Sequence, residues 1–194
     1  MNGKLIVISG PSGVGKSTVV KQLMAQSPNL HFSVSATTRA MRPGEVDGVN
    51  YYFVDKDKFR QMIAQQELLE YTEYVGNYYG TPEAQLDAAL SEGKDILLDI
   101  EVEGALNVKR RRPDAILIFM MAPSFEDIAM RLSGRGDTDE TVVQQRLTHA
   151  KWEYAQAHQY DYLVVNDQVE HAVSEIKAIM TAEKCKTTSR KDLL

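Results

Sequence analysis

Gly10-Pro11-Ser12-Gly13-Val14-Gly15-Lys16-Ser17 decides the fold of this chain, because it fits the pattern G-x-x-x-x-G-K-[ST] without a gap. The apolar residues 5–8 before it predict a buried strand, and the residues from Thr18 onward have helical spacing. In this setting the glycines let successive backbone N–H groups turn toward phosphate oxygens at the positive end of a helix. Lys16 would add a point charge for the outer phosphates, and the Ser17 hydroxyl is placed to bind Mg²⁺. The sequence therefore predicts a nucleoside triphosphate site formed by residues 10–18.

The overall composition limits the classes of protein that the chain can belong to. It has 194 residues, 43% of them hydrophobic and 25% charged, with a net charge of −5, which suits one domain with a sizeable core. The acidic balance argues against a nucleic-acid partner, and we interpret the basic residues 109–112 as a helix C-terminus. A single cysteine, Cys185, fits a reducing compartment. With no visible signal sequence and no apolar run long enough to cross a bilayer, we expect a cytoplasmic protein without a membrane partner.

Apolar runs and helical spacing alternate along most of the chain. In the last third of the chain, for example, apolar side chains recur at three- and four-residue steps, at Val143, Leu147, Ala150 and Tyr154. The predicted strands lie at residues 5–8, 32–34, 96–100, 116–120 and 162–165. Strands that alternate with helices predict an α/β fold, with a mostly parallel sheet and helices on both faces.

Two regions interrupt this alternation. Residues 35–81 are rich in tyrosine and charge, and Gly76-Asn77 predicts a tight hairpin, so we expect a small inserted β-rich lobe there. Residues 125–152 contain two helical segments around a glycine-rich break, which predicts a helical lid with a mobile flap. The predicted organisation is one domain of residues 1–194. Its parts are a core (1–34, 82–124 and 153–194), a lobe (35–81) and a lid (125–152).

A second apolar strand ends in an acid, Asp99. At the carboxyl edge of a parallel sheet, Asp99 could face the phosphate loop and hold Mg²⁺ through water. An acid that only caps a strand is also common. The phosphate loop favours the first interpretation, so we predict a metal site formed by Ser17 and Asp99.

The chain closely resembles the guanylate kinase family, in motifs that run in order along nearly its whole length. Residues 35–45 read SATTRAMRPGE and residues 51–54 read YYFV, the part that separates guanylate kinases from other phosphate-loop kinases. Residues 76–81 (GNYYGT), 98–101 (LDIE), 134–136 (GRG) and 165–167 (VND) continue the resemblance. It implies a phosphate-loop kinase fold and an ATP:GMP phosphotransferase that uses Mg²⁺. Acceptance of dGMP and the oligomeric state stay open.

The resemblance places the GMP site in the lobe. Arg39 and Arg42, with Tyr51 and Tyr79, correspond to the residues that hold the phosphate of GMP. Arginine forks match phosphate oxygens two at a time, and phenol hydroxyls add donors without further charge.

Guanine recognition is assigned through the same resemblance. Glu70 corresponds to a carboxylate that accepts from guanine N1–H and N2–H₂, a pair of donors that adenine lacks. Ser35 and Thr81 stand where the family places hydroxyls near guanine O6 and its edge. Glu101 stands where some members carry aspartate, near guanine and the metal, and its extra methylene leaves its contact open.

The lid and the adenine site complete the resemblance. Arg131 and Arg135 resemble lid arginines that close over the triphosphate, and Arg146 resembles a third that reaches the transferred phosphoryl group. With Lys16 and Arg39 these three are the predicted catalytic residues. Asn166 and Asp167 follow a strand where the family contacts adenine, although Asn-Asp is also ordinary turn chemistry.

Three other functions fit parts of the same sequence. A phosphate-loop kinase acting on a ribosyl bisphosphate is disfavoured because Glu70, Ser35 and Thr81 form a set suited to a base. A non-catalytic interaction module of this fold typically lacks phosphate-loop and lid residues that are present here. A regulatory GTPase would need an N-K-x-D motif, which the sequence does not contain.

Overall fold

The computed structural model of the chain describes residues 3–74, 76–133 and 140–190. Its strands are β1 (Leu5–Ser9), β2 (Leu30–Phe32), β3 (Ala36–Thr37), β4 (Tyr52–Phe53), β5 (Leu68–Tyr74), β6 (Asn77–Pro82), β7 (Asp95–Asp99), β8 (Ile116–Met121) and β9 (Tyr162–Val165). Its helices are α1 (Lys16–Gln26), α2 (Lys56–Ala64), α3 (Glu83–Ser91), α4 (Val102–Arg111), α5 (Phe125–Ser133), α6 (Glu140–Gln156) and α7 (Val169–Cys185). Among the described residues, none of these helices has the length and apolar composition needed to cross a lipid bilayer.

The core is a parallel sheet in the order β2-β7-β1-β8-β9. Because successive side chains of a strand point to opposite faces, Ile6 and Ile8 enter one apolar cluster and Leu5 and Val7 enter another. Residues of α1, α5, α6 and α7 complete the first cluster, and residues of α3 and α4 complete the second. The prediction of an α/β fold with a mostly parallel sheet covered on both faces is confirmed.

The phosphate loop lies where the strand order reverses. β1 sits between β7 and β8, and the register sets Ile8 beside both Asp99 and Ile118. Since parallel strands end at the same edge, the loop that follows β1 and the acid that ends β7 lie side by side. The fold thereby brings together two parts of the chain that are more than eighty residues apart in sequence.

A second, smaller sheet in the order β4-β3-β6-β5 lies within residues 36–82. β5 and β6 are antiparallel, and their turn contains Gly76, whose φ of +72° is in the left-handed region that favours glycine. This sheet has its own apolar cluster, which we call the lobe cluster: Ala36, Phe59, Met62 and Leu68. The predicted β-rich insertion into the α/β core is confirmed.

The lobe also contains a helix, α2, that the sequence analysis did not predict. The side chain of Asp55 caps it, because its Oδ1 accepts the N–H of Lys58 at 2.7 Å. Phe59 and Met62, three residues apart, turn the same face of the helix into the lobe cluster. The sequence did contain a signal for this helix, namely Asp55 as a capping residue followed by the apolar pair Phe59 and Met62. The many charged residues between and around them made this helical spacing hard to recognise.

The position of β2 also differs from the prediction. It begins at Leu30, which pairs with Asp95 of β7, and it ends at Phe32 rather than continuing through residue 34. Leu30 is 4% exposed, whereas Phe32 is 42% exposed. The predicted bounds were wrong because β2 is an edge strand, where an apolar residue can lie at the surface.

Candidate active site

The phosphate loop needs its glycines for space and for backbone conformation. A Cβ on Gly10 would lie 2.3 Å from the carbonyl oxygen of Met120, which is closer than atoms can approach. Gly13 and Gly15 have φ values of +85° and +90°, in the region that side chains rarely adopt. A Cβ on Gly15 would also lie 2.6 Å from Nδ2 of Asn166. The loop therefore curves tightly against β8 and β9 before α1 begins.

Two side chains hold the loop from the side of β9 and α5. Nδ2 of Asn166 donates to the carbonyl oxygen of Val14 at 2.7 Å, and Nη1 of Arg131 donates to the same oxygen at 3.1 Å. Asn166 is buried, and the Val14 side chain packs into the core cluster that includes Ile6. The loop is thus fixed at Val14 by a hydrogen-bonded carbonyl on one side and by apolar packing on the other.

Lys16 and Asp99 form an ion pair at the mouth of the loop. Nζ of Lys16 lies 3.0 Å from Oδ1 of Asp99, and their side chains are 16% and 22% exposed. Burial opposes the charge on Lys16, but the negative charges of Asp99, Glu101 and Glu153 outweigh it, so its pKa is raised above the ordinary value. Ser17, the next residue of α1, is adjacent to Lys16 in the chain and exposed.

A cavity of about 150 Å³ separates the lobe from the core. Residues of both sheets line it: Ser35, Tyr51, Glu70, Thr72, Tyr79, Gly80, Asp99, Ile100 and Glu101. Six of them belong to the site predicted from sequence, and they come from five separate segments of the chain. Asp99 links the two halves, because it lines this cavity and also pairs with Lys16. The cavity and the phosphate loop are therefore in contact through Asp99.

Glu70 is the buried acid of this cavity. It is 5% exposed, and the hydroxyl of Thr81 donates to its Oε1 at 2.7 Å. Burial raises the pKa of Glu70 to about 7, although the hydroxyl and backbone N–H of Thr81 favour its charged form. A carboxyl group held this way can accept from a ligand that brings its own N–H donors.

Arg39 lies at the phosphate end of the predicted acceptor site, and both arms of its guanidinium bind Glu45. Nη2 lies 2.7 Å from Oε1 and Nη1 lies 3.0 Å from Oε2. The guanidinium also stands over the ring of Tyr51, 5.4 Å from its centre, and the Tyr51 and Tyr79 rings meet edge to face. Arg42 is exposed, and its backbone N–H donates to Oε2 of Glu45 at 2.7 Å. Glu45 was missed as a functional residue, although it ends the motif of residues 35–45, because the sequence does not show that it pairs with Arg39.

The remaining predicted residues lie around the loop. Arg146 is partly buried on α6, and Asp167 is exposed after β9, where its Oδ1 accepts the N–H of Gln168 at 2.5 Å. Thr18 is exposed on the first turn of α1. Arg135 and the rest of the predicted flap lie outside the described residues.

Sequence analysis also missed Glu153, a buried acid on α6. It is 1% exposed, and within the described part of the chain neither of its carboxylate oxygens has a hydrogen bond. Nε2 of His149, one turn earlier, lies 3.7 Å from Oε1. Burial and the charge of Glu101, opposed by Lys16, raise the pKa of Glu153 to about 7. Nothing in the spacing of α6 marks this residue as buried and polar.

A glycine-rich loop between β1 and α1, an acid at the end of β7 and a lobe facing them across a cavity define a phosphate-loop kinase that acts on a second small substrate. A family model described as guanylate kinase matches residues 2–183. The chain therefore belongs to the guanylate kinase family.

Individual relatives agree with this assignment. The chain is 53% identical over 184 residues to the guanylate kinase of Halalkalibacterium halodurans, an alignment that covers 95% of this chain and 90% of that protein. It is 50% identical over 184 residues to a guanylate kinase of Thermus thermophilus, covering 95% and 83% of the two chains. The crystal structure of guanylate kinase from Anaplasma phagocytophilum matches the fold with a TM-score of 0.77 at 34% identity, covering 96% of this chain and 88% of that one.

Proposed function

We propose that the residues around this cavity and loop carry out the guanylate kinase reaction of the family. An oxygen of the GMP phosphate attacks the γ-phosphorus of ATP, the bond to the β,γ-bridging oxygen breaks, and ADP and GDP are formed. The attacking phosphate needs no general base, so catalysis consists of positioning and of stabilising charge. One observation carries the proposal: Asp99 belongs both to the cavity of Glu70 and to the ion pair with Lys16. An acceptor in the cavity would therefore have its reacting end beside the phosphate loop.

The donor half of the site is assigned to residues 10–18. Backbone N–H groups of the loop and the N-terminus of α1 face the phosphates of ATP, and Lys16 neutralises the transferred charge. The amide of Asn166 already holds Val14, so its Oδ1 and its second N–H are the atoms left for adenine. Asp167 stands beside it at the surface.

The donor set at the mouth of the loop fits Mg²⁺. Asp99 supplies a carboxylate and Ser17 a hydroxyl, both hard oxygen ligands, on neighbouring elements. Bound there, the metal would neutralise charge on the outer phosphates of ATP. Lys16, which pairs with Asp99 at 3.0 Å, holds that carboxylate in place before the nucleotide arrives.

The acceptor half is assigned to the lobe. Glu70, with Thr81 donating to it, accepts from guanine N1–H and N2–H₂, and Ser35 lies in the same cavity. Adenine would leave the carboxyl group buried against an acceptor, which is costly. Glu101 also lines the cavity, two residues after Asp99, and we propose that it lies near guanine and the metal.

Four side chains are assigned to the phosphate of GMP: Arg39, Arg42, Tyr51 and Tyr79. Because Glu45 occupies both arms of Arg39, the incoming phosphate must replace this acid or share the guanidinium with it. Before GMP binds, Glu45 holds Arg39 in position. When the phosphate binds, one charge-assisted pair replaces another.

The lid residues 125–152 are assigned to closure over ATP. Arg131 reaches the loop at Val14 from α5, and Arg146 follows on α6. With Arg135, they would stabilise the charge that spreads over the transferred group. We propose residues 35–81 and 125–152 as the two moving parts on the core of residues 1–34, 82–124 and 153–194. A cytoplasmic location remains a prediction.

The test is ADP formation from ATP and Mg²⁺ with one acceptor at a time. GMP should support turnover, and AMP, CMP and UMP should support little. Equal turnover with all four acceptors would contradict the assignment of Glu70, and ADP formation that does not require an acceptor would contradict phosphoryl transfer to a nucleotide.

A further inference from the structure

Helix α4 contacts the strand that carries Glu70 through its last residue, Arg111. Nη1 of Arg111 donates to the carbonyl oxygens of Leu68 and Leu69, at 2.5 and 2.7 Å. Nη2 donates to Oε2 of Glu83, at 2.5 Å. These are charge-assisted bonds, two of them to the two residues directly before Glu70.

Those two residues form an irregularity in β5. Leu68 pairs with Pro82 and Glu70 pairs with Thr81, so Leu69 is an extra residue in this strand. Three consecutive side chains are buried there, 4%, 1% and 5% exposed from Leu68 to Glu70. Leu68 enters the lobe cluster and Leu69 enters the core cluster that includes Val7. The bulge is thus what aims Glu70 into the cavity, and Arg111 binds the carbonyls at the bulge.

The start of α4 lies against the carboxylate of Glu70. A Cβ on Gly104 would lie 2.8 Å from Oε2 of Glu70 and 3.5 Å from its Cδ. The first distance is shorter than a real contact, whereas the second is ordinary. Gly104 and Arg111 are seven residues apart, which is about two helical turns, so they lie on one face of α4.

We propose that Gly104 and Arg111 are positioning residues that set the acceptor specificity of Glu70. Gly104 leaves room for the carboxylate against α4, and Arg111 fixes the bulge that directs it. Neither residue lines the cavity, so each acts through Glu70 and not on the acceptor. The inference rests on the proposed role of Glu70 in binding guanine.

The close approach of Gly104 to Glu70 predicts separate effects on folding and on guanine recognition. In Gly104→Ala the new methyl group collides only with the far end of a side chain that can rotate away, so the fold accommodates it. A carboxylate moved by a few tenths of an ångström no longer meets both guanine donors in line. Recognition should therefore suffer more than stability.

The experiment compares GMP with IMP, which keeps N1–H and lacks the 2-amino group. Gly104→Ala and Arg111→Met should each raise KM for GMP by about tenfold and shrink the preference for GMP over IMP by a similar factor, as expected for one lost charge-assisted bond. KM for ATP should change less than about twofold, because the phosphate loop is untouched. Arg110→Met is the matched control: it removes the same charge from α4, where Arg110 binds only Asn107 of its own helix among the described residues.

Glu70→Gln separates the role of Glu70 from the role of α4. If Glu70→Gln leaves the preference for GMP over IMP unchanged, the proposed role of Glu70 fails. If Glu70→Gln abolishes the preference for GMP over IMP, but Gly104→Ala folds and keeps that preference, then only the proposed role of α4 fails. Should Arg111→Met not fold, Arg111→Lys takes its place, since it keeps the charge and loses the fork that reaches two carbonyls. Equal rises in KM for ATP and GMP would also overturn the proposal, because they indicate general damage.

Discussion

Nζ of Lys16 lies 3.0 Å from Oδ1 of Asp99, so the cation of the phosphate loop is paired with the acid that ends the neighbouring strand. Each of these residues is proposed to bind a different part of the donor: Lys16 the outer phosphates and Asp99 the metal. Binding of ATP with Mg²⁺ therefore replaces one ion pair by two interactions with the ligand. The ion pair keeps both charges oriented beforehand, which lowers the reorganisation needed when the donor binds.

Replacing Lys16 tests this arrangement most directly. Lys16→Met removes the charge that stabilises the transferred group, and kcat should fall by about 10²- to 10³-fold, as for loss of other preorganised donors. Lys21→Met is the matched control, because Lys21 is exposed on the same helix. ADP release at saturating GMP measures both. Comparable losses in the two variants would mean that net charge on α1, and not the position of Lys16, matters.

Glu70→Gln should affect the two substrates unequally. Glutamine keeps the shape but loses the charge, and its amide presents donors toward guanine donors, so kcat/KM for GMP should fall by about 10²-fold. KM for ATP should stay within about twofold of its value in the unaltered protein. Glu73→Gln, exposed on the same strand, serves as the control. An equal effect on both substrates would argue for a structural role of Glu70.

The buried acids should make the ligand-free protein less stable as the pH rises. Burial raises the pKa of Glu70 from its ordinary 4.5 to about 7, so between these values the folded chain holds a proton that the unfolded chain has released. The free energy of unfolding should then decrease across this window, by at most about 3 kcal/mol for this group. Glu153 adds a change of the same sign.

Urea unfolding at about pH 4.5 and pH 7.5, the two sides of that window, measures this dependence. The decrease should be smaller in Glu70→Gln, which has no carboxyl group to titrate, and smaller again when Glu153→Gln is added. A decrease of the same size in all three proteins would assign the pH dependence to other groups.

Gly15 and Gly44 form a matched pair for a test, because both have a backbone conformation in the left-handed region. Their φ values are +90° and +87°, but a Cβ on Gly15 would meet Asn166 at 2.6 Å, while a Cβ on Gly44 would meet nothing within 4 Å. Gly44→Ala should cost about 1–2 kcal/mol of stability from backbone strain alone. Gly15→Ala should cost more and should also weaken ATP binding, because it displaces the amide that holds Val14. Urea unfolding and nucleotide titration test this, and similar costs for both variants would mean that the contact with Asn166 is relaxed without loss.

The central architecture could be predicted from the sequence because its signals are local. A glycine-rich motif between an apolar strand and a helix has one structural context, and strand–helix alternation leaves few topologies. Sequence analysis did not predict the lobe helix α2, because only Phe59 and Met62 of its nine residues are buried. Two apolar residues are too few to establish a helical period. The bounds of β2 were wrong because Phe32 lies at an exposed edge.

Partners that no regular spacing reveals explain the rest of what sequence reasoning missed. Glu45 pairs with Arg39, six residues earlier, from within a loop. Gly104 lies thirty-four residues after Glu70, and a Cβ there would meet the Glu70 carboxylate. Neither relationship has a period or spacing, since both depend on how the chain folds back on itself. The same is true of Glu153, whose burial depends on how α6 lies against the sheet.

The separate apolar cluster of the lobe has an evolutionary consequence. Ala36, Phe59, Met62 and Leu68 hold the acceptor half together without sharing side chains with the clusters on the two faces of the central sheet. Substitutions inside the lobe can therefore accumulate while the machinery that handles ATP stays intact. A lineage could change which molecule receives the phosphoryl group by altering the lobe and the α4 residues that contact it, and inherit the phosphate loop unchanged.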